Sequence, residues 1–372
     1  MENRSGRLRL WTRIGACAVA SFFSSGVLVA FPTVEPILLD RRPTHGAGLF
    51  AHLCANSSSN ASFANSSSSI DVIDACEAQE NAAATLYSVA LAAMQVVSLP
   101  GGYLFDYAGP RASSVIAALT TGASLAMLSL GLMYPRFEWL VWLGVPLAEG
   151  AGQITAMSIY GFIWHAPQHV ALVVSVIALS NGISTYMAAL AVWLVRGPAI
   201  VPPTLVWFLP ALLTLPAAAI LACAAPSRRE FHAAASTVLG RPSSSVSGSL
   251  LHAIAVVAKW WRRDAANWSF LGFSLLIMAT TSCWGALYVQ LQQSSLGAAD
   301  AATAVGAFAL FAGPLAALAQ PILSGCVYDC IGLRAYLAAV TVGLLAFIAT
   351  LLLPGLAWQL VGLGIGVLAT FS

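Results

Sequence analysis

The chain has 372 residues, of which 59% are hydrophobic and only 8% are charged, and its mean hydropathy is +0.83. Most of such a chain cannot form the surface of a water-soluble fold, so the composition excludes soluble proteins and indicates an integral membrane protein in contact with lipids. The net charge of +2 does not indicate a nucleic-acid partner, because basic residues in a membrane protein mainly mark topology.

Roughly ten apolar stretches of about 20 residues follow one another along the chain, and each is long enough to cross a bilayer as a helix. We number them segments 1 to 10. Their centres lie near Ala20, Ala92, Leu125, Gly150, Leu179, Leu213, Ile277, Leu310, Leu344 and Gly362. The absence of alternation within them argues against an outer-membrane barrel. The sequence therefore predicts an all-α polytopic membrane protein.

Segment 1, from about Trp11 to Phe31, follows several arginines and is interpreted either as a signal peptide or as a membrane helix. We favour the helix, because the stretch is long for a signal peptide. With the amino terminus in the cytoplasm, twelve basic residues face inward and four face outward, in agreement with the positive-inside rule. The amino terminus is therefore predicted to be cytoplasmic.

The loop at residues 32–80, between segments 1 and 2, is then extracellular. It contains three glycosylation sequons, at Asn56, Asn60 and Asn65. Cys54 and Cys76 flank these sequons, and an oxidising compartment would allow them to form a disulfide; two free thiols are the alternative. The other cysteines are interpreted as packing residues, so the sequence predicts neither a metal site nor a cofactor.

A short motif occurs twice, after segments 2 and 8. Its first copy is Gly102, Asp106, Gly109 and Arg111, and its second, 223 residues later at the same spacing, is Gly325, Asp329, Gly332 and Arg334. The glycines permit a tight turn, and the charged residues can cap helix ends and pair across the loop. Such pairs can latch one conformer of a carrier; a static turn is the alternative interpretation.

Two copies in equivalent places indicate two parallel repeats related by an axis along the membrane normal. Residues 1–224 are then a six-helix half, residues 225–267 a cytoplasmic linker, and residues 268–372 a second half with about four helices. The linker has a flexible Ser/Gly-rich centre. Its basic end, from about Leu251, can lie on the membrane surface as an amphipathic helix.

The motif resembles the signature loop of the major facilitator superfamily, and its first copy, closing on Gly109, Pro110 and Arg111, resembles solute carrier family 43 and apicomplexan amino acid transporters. The resemblance implies a major facilitator fold with two pseudo-symmetric six-helix halves. It also implies transport by rocker-switch alternating access. Tyr107 and Cys330 stand where the superfamily commonly has a basic residue. Because that fold has twelve helices, the last two are expected to be missing.

In the resembled fold, segments 1, 4, 7 and 10 line a central substrate cavity, so their polar residues should form stripes at helical spacing. Three of the four segments have such stripes. The residues are Ser21, Ser24 and Ser25 in segment 1, Glu149 and Gln153 in segment 4, and Thr280, Trp284 and Tyr288 in segment 7. Trp284 and Tyr288 are interpreted as a surface that stacks against the solute or as a gate, and simple packing is the alternative.

Glu149 is the only acid placed so deep in a predicted helix. It can bind a substrate ammonium group or carry a coupled proton; a protonated carboxyl in a contact between helices, or one reaching the interface, is the alternative.

We expect a plasma-membrane transporter of amino acids, neutral or cationic, with possible proton coupling. Carriers of other small solutes (sugars, nucleosides, monocarboxylates) and a non-transporting sensor on the same fold are the alternatives. An enzyme is not expected, because nucleotide-binding, serine-hydrolase and zinc-protease motifs are lacking from the sequence.

Overall fold

The computed structural model of the protein describes residues 4–24, 38–39, 49–54, 76–184, 186–196, 201–240, 328–353 and 355–370, with a few isolated positions between 255 and 307. Within these ranges the regular structure is entirely helical, as the sequence predicts. Segments 7 and 8, and with them most of the predicted second half, lie outside the described residues.

The first helices follow the predicted segments closely. Segments 1 to 4 become α1, α2, α3 and α4; segment 5 becomes two shorter helices, α5 and α6; and segment 6 becomes α7. Their bounds are Arg4–Ser24, Glu77–Ala108, Pro110–Met133, Trp139–Ile159, Val170–Ser184, Tyr186–Arg196 and Pro203–Ala224. Helices α9 (Tyr328–Leu351) and α10 (Leu356–Thr370) correspond to segments 9 and 10.

One helix was not predicted. Helix α8 (Arg228–Leu239) occupies the start of the region that the sequence assigns to the linker. It begins with a capping box, in which the Ser227 side chain accepts from the Glu230 backbone N–H and the Glu230 carboxylate accepts from the Ser227 N–H. Gly240 ends it in the left-handed conformation, with φ 62°. Four short 3-10 turns connect other helices: Ala51–Cys54, Pro135–Phe137, Tyr160–His165 and Pro167–His169.

Three described helices have the length and composition to cross a membrane: Glu77–Ala108, Pro110–Met133 and Leu205–Ala224. Helix α2 has 32 residues and is therefore about 48 Å long. It ends where Gly109 takes a positive φ of 86° and Pro110 starts α3. A non-glycine residue rarely adopts this backbone conformation, so the sharp turn between α2 and α3 depends on glycine.

Helix α3 lies between α4 and α7, and glycines allow the close approach on both sides. A Cβ at Gly122 would lie 2.1 Å from the Thr214 Oγ1 of α7, and one at Gly144 of α4 would lie 2.8 Å from the Ser124 carbonyl oxygen of α3. Helix α4 also packs on α2, where Gly101 faces Ile154. Helix α1 packs against α5 and α7. Small residues thus set the spacing of these helices, as is common in membrane bundles.

Two apolar clusters fill the opposite ends of this bundle. At the end that carries Cys54 and Cys76, which we call the disulfide end, Leu49, Phe50 and Tyr87 pack with residues of α3, α4, α6 and α7. At the end that carries Arg13, Arg111 and Glu230, which we call the arginine end, residues of α1, α5 and α7 pack around Phe162. The polar groups considered below lie between these clusters or at the two ends.

Candidate functional site

The two described serines predicted to line the cavity from segment 1 lie inside the bundle. Ser21 and Ser24 are both 0% exposed. The Ser24 hydroxyl donates to the Ala20 carbonyl of its own helix at 2.9 Å, and the Ser24 carbonyl accepts from Thr121 of α3 at 3.2 Å. Because both serines are fully buried, a solute does not reach them in this conformation. Ser25 lies outside the described residues.

Glu149 is also enclosed. The residue is 3% exposed, and Tyr87 of the neighbouring helix α2 is 4% exposed. The next residue, Gly150, lies at a close helix crossing, because a Cβ there would lie 3.1 Å from Val97 of α2. Gln153, one turn further along α4, is only partly buried. The predicted segment 4 stripe is therefore divided: Glu149 is buried, and Gln153 is the more accessible of the two.

The third predicted stripe, Thr280, Trp284 and Tyr288, lies outside the described residues. The predicted glycosylation sites Asn56, Asn60 and Asn65 lie outside them as well. The cavity residues of segment 7 and the sugar sites therefore stay predictions.

The first copy of the repeated motif has a defined geometry. Asp106 lies in the last turn of α2, Gly109 forms the turn and Arg111 begins α3. A Cβ at Gly109 would lie 2.7 Å from the Cα of Arg228, so the turn packs directly on the first residue of α8. A Cβ at Gly102 would meet nothing within 4 Å. The two glycines of the motif therefore differ, and only Gly109 is required by its backbone and its contact.

Arg111 meets its partners at the end of α7 and in α8. Its Nε donates to the Ala225 carbonyl at 2.9 Å, its backbone N–H donates to the Pro226 carbonyl at 3.1 Å, and its Nη2 lies 3.5 Å from Glu230 Oε2. The guanidinium thus meets the carbonyl end of α7, where the helix dipole favours a cation.

Arg13 of α1 meets the same two groups. Its Nε donates to the Ala224 carbonyl at 2.8 Å, and its Nη2 lies 3.3 Å from Glu230 Oε2. One carboxylate therefore joins two arginines, from α1 and α3, to the start of α8. We call Arg13, Arg111 and Glu230 the arginine clamp. It ties the middle of α1 to the ends of α3, α7 and α8.

The carboxyl at the centre of the clamp is held in its charged form. Partial burial alone would raise the pKa of Glu230, but the hydrogen bonds from Ser227 and the nearby Arg13 outweigh this effect, and the pKa is lower than the ordinary value of 4.5. Glu230 is therefore ionised at neutral pH, as a salt bridge to two guanidinium groups requires.

Sequence reasoning identified Arg111 but missed two members of the clamp. Arg13 was interpreted as a topological marker, and Glu230 was not singled out. The signal for Glu230 is local: Ser227 followed three residues later by Glu230, directly after Pro226, is the pattern of a capping box at a helix start. No local pattern connects Arg13 with a carboxylate that lies 217 residues further along the chain.

The second motif copy differs in its backbone. Asp329, Gly332 and Arg334 all lie within the first turns of α9, whereas the first copy breaks at Gly109. Gly109 with its positive φ and Pro110, which has no N–H to donate and suits the first position of a helix, supply a physical reason for the break; leucine occupies the position of Pro110 in the second copy. Gly325 lies outside the described residues.

The disulfide end has the predicted cysteine pair. Cys54 and Cys76 form a disulfide, with Cα atoms 5.9 Å apart. The short turn Ala51–Cys54 and residues Leu38, Leu39, Leu49 and Phe50 form what we call the cap. Gln79 in the first turns of α2 is 0% exposed and donates to the carbonyls of Leu39, at 3.3 Å, and Leu49, at 2.6 Å. Phe50 stacks near Trp142 of α4, with ring centroids 5.4 Å apart.

Comparison with known proteins connects this geometry to a fold. The chain is similar to the xylose transporter XylE from E. coli in its inward open conformation, with a TM-score of 0.52, 14% sequence identity, and coverage of 97% of this chain and 80% of that chain. The sequence matches neither a protein-family model nor a curated protein. The structural likeness confirms the predicted all-α membrane fold of the major facilitator type. The closer resemblance to solute carrier family 43 stays a prediction.

Proposed function

We propose that the protein is a secondary transporter that carries amino acids across the plasma membrane by rocker-switch alternating access. The observation that supports transport is the major facilitator fold, because the likeness to a transporter extends over 97% of the chain. The long apolar helices α2, α3 and α7 support a location in the membrane. The excess of arginines at the arginine end supports its placement in the cytoplasm.

In this proposal the arginine clamp acts as a brace. Arg13, Arg111 and Glu230 all belong to residues 1–239, so the ion pairs hold α8 to the first helices and keep them together as one body. A rocking mechanism requires that each bundle move as a unit. Asp106 and the charged residues of the second motif copy are the remaining candidates for a latch between the halves.

The carboxyl of Glu149 supports either a solute that bears an amine or transport that is coupled to a proton. A solute does not reach a carboxyl that is 3% exposed, so the role better supported in this conformation is that of a proton carrier next to Tyr87. Gln153, which is partly exposed on the same helix, is the better candidate for contact with the solute itself. A sugar is the second candidate cargo, favoured by the structural likeness to a xylose transporter.

Uptake into cells that express the full chain tests the proposal. Labelled leucine, phenylalanine, arginine, xylose and lactate are offered at two pH values, and surface biotinylation measures how much protein is present. Saturable uptake of an amino acid supports the assignment, saturable uptake of xylose alone replaces it with the sugar alternative, and surface protein that moves none of the five contradicts both.

The Glu149→Gln variant tests the proton role, with Glu138→Gln as a matched control at the start of α4. Glu149→Gln should retain exchange of internal for external solute but lose the dependence of uptake on external pH. Glu138→Gln should keep both. An unchanged pH dependence in Glu149→Gln would remove the proton role from this residue.

A further inference from the structure

An ionisable contact connects the cap to the start of α4. The Nδ1 atom of His52, in the short turn Ala51–Cys54, lies 3.1 Å from Oε2 of Glu138, the residue directly before α4. We call His52 and Glu138 the cap pair. The aromatic contact of Phe50 with Trp142 joins the cap to the same helix. The cap is thus held against α4 by an apolar contact, which does not titrate, and by the cap pair, which does.

The two members of the cap pair differ in their access to water. The His52 side chain is 64% exposed, whereas that of Glu138 is 19% exposed. Among the described residues, the second carboxylate oxygen, Glu138 Oε1, is shielded from solvent and has no hydrogen-bond partner. A carboxylate with an oxygen withdrawn from water is costly unless a cation neutralises it. A protonated His52 supplies that cation at the other oxygen.

Other charged groups at the disulfide end do not replace His52. The turn before α4 carries Arg136, which is exposed, and the first turn of α2 carries Glu77 and Glu80. Within the part of the chain that the structure describes, none of these three side chains forms an ion pair with either member of the cap pair. The charge that faces Glu138 across this contact therefore depends on whether His52 carries a proton.

Imidazole and carboxyl groups titrate in different pH ranges. An imidazole generally gains its proton between about pH 8 and pH 5, and a carboxyl only near about pH 4. In mildly acidic solution such a pair consists of a cation and an anion, and the attraction between them weakens when the imidazole becomes neutral. We propose that the cap pair is a pH-dependent switch, which holds the cap closed on α4 in mildly acidic solution and lets it open more readily as the pH rises. This inference does not depend on the identity of the cargo.

Two backbone amides report whether the cap is closed. The Leu49 N–H donates to the Leu38 carbonyl at 2.7 Å, and the Leu53 N–H donates to the Phe50 carbonyl at 3.0 Å. An amide in a hydrogen bond exchanges with solvent deuterium when the structure around it opens. The rate of exchange in residues 49–54 therefore measures how often the cap opens.

Hydrogen–deuterium exchange of the purified full chain, followed by mass spectrometry at about pH 5.5 and pH 8, tests the inference. His52→Gln and Glu138→Gln keep a polar side chain but remove the titrating group. His169→Gln, at an exposed histidine of the arginine end, and Glu77→Gln, at an exposed acid of the disulfide end, are the matched controls. Each rate is divided by the wild-type rate at the same pH, which cancels the intrinsic pH dependence of exchange.

At pH 5.5 we expect residues 49–54 to exchange about two- to fivefold faster in His52→Gln and in Glu138→Gln than in the wild type, the range for a partly exposed ion pair. At pH 8 the ratio should fall to about one. The double variant should exchange no faster than either single variant, because each change removes the same contact. His52→Asn supplies a second substitution if His52→Gln does not fold.

Several results would overturn the inference. The same ratio at both pH values would show a contact that does not respond to pH. An equal acceleration in either control would show a general effect of lost charge, and additive effects in the double variant would show that the two residues act separately.

Exchange and uptake are separate measurements, so their failures can be distinguished. A pH-dependent cap in a protein that moves no tested solute supports the switch and contradicts the proposed cargo. Saturable uptake with equal exchange ratios at both pH values leaves the transport function in place and contradicts the switch. The switch acts on the cap, so the pH dependence of uptake assigned to Glu149 should persist in Glu138→Gln.

Discussion

At the disulfide end the closing contacts are buried, and at the arginine end they are exposed. Leu49 and Phe50 of the cap are 3% and 2% exposed, and a disulfide holds the cap in place. The side chains of Arg13 and Glu230 are 32% and 42% exposed. Opening the cap would expose apolar surface, whereas opening the clamp exchanges partly exposed ion pairs for water at little cost. The clamp is therefore easier to open than the cap.

The largest expected effect comes from the turn that supports the clamp. Gly109→Ala forces a side chain into a positive φ and places its Cβ 2.7 Å from the Arg228 backbone. Strain and overpacking together should lower the free energy of unfolding by about 3 kcal/mol. The measurement is the thermal unfolding midpoint of the purified protein in detergent.

Gly102→Ala is the matched control for this change. Gly102 lies within α2 with open space around its Cα, so alanine should leave stability unchanged or raise it by up to about 1 kcal/mol. Equal losses in the two glycine variants would contradict the distinction between them.

The second effect concerns the other end. Replacing both Cys54 and Cys76 by serine removes a link between residues 22 apart in sequence, and should lower stability by roughly 3 kcal/mol. Cys223→Ser, which changes an exposed free cysteine, should have no effect. Thermal unfolding with and without a reducing agent measures the difference. A double variant as stable as the control, or a wild-type protein insensitive to reduction, would show that packing alone holds the cap.

The smallest effect is the acid sensitivity of the clamp. The pKa of Glu230 is lowered by folding, so its contribution to stability is complete above the ordinary value of 4.5 and is lost as the pH falls through the folded value. Because the pair is exposed, Glu230→Gln should cost less than about 1 kcal/mol at neutral pH.

Thermal unfolding midpoints measured between pH 7 and pH 3.5 test whether stability falls with pH in this way. Wild type should lose more stability over this range than Glu230→Gln does. Glu77→Gln, which removes a carboxylate at the disulfide end, should follow the wild type. If Glu230→Gln lost as much stability on acidification as the wild type, the acid-sensitive carboxyl would be that of another residue.

The parts of the fold that sequence predicted are those with a local signal. Apolar length located α2, α3, α4 and α7. The glycine and proline at 109 and 110 marked the turn that separates α2 from α3. The number and position of cysteines suggested the pair that the structure joins.

Sequence reasoning fell short where it could not show which helix or residue lies next to a given side chain. The spacing of Ser21 and Ser24 shows that they share a face, but the same spacing occurs on a cavity wall and on a helix face that is fully buried, as this one is. The sequence likewise did not show whether the carboxyl of Glu149 is open to a cavity or buried, as it is in the structure.

Tyr107 illustrates how a departure from a motif can be compensated. It replaces a basic residue of the resembled motif, and in the structure the guanidinium of Arg228 lies 5.6 Å from the centre of the Tyr107 ring. A cation is thus present at this position, supplied by α8 through a cation–π contact rather than by the motif itself. The contact joins two positions that are 121 residues apart in the sequence. Homologues that regain a basic residue at position 107 should therefore have lost the arginine at position 228, a coupled change visible in an alignment.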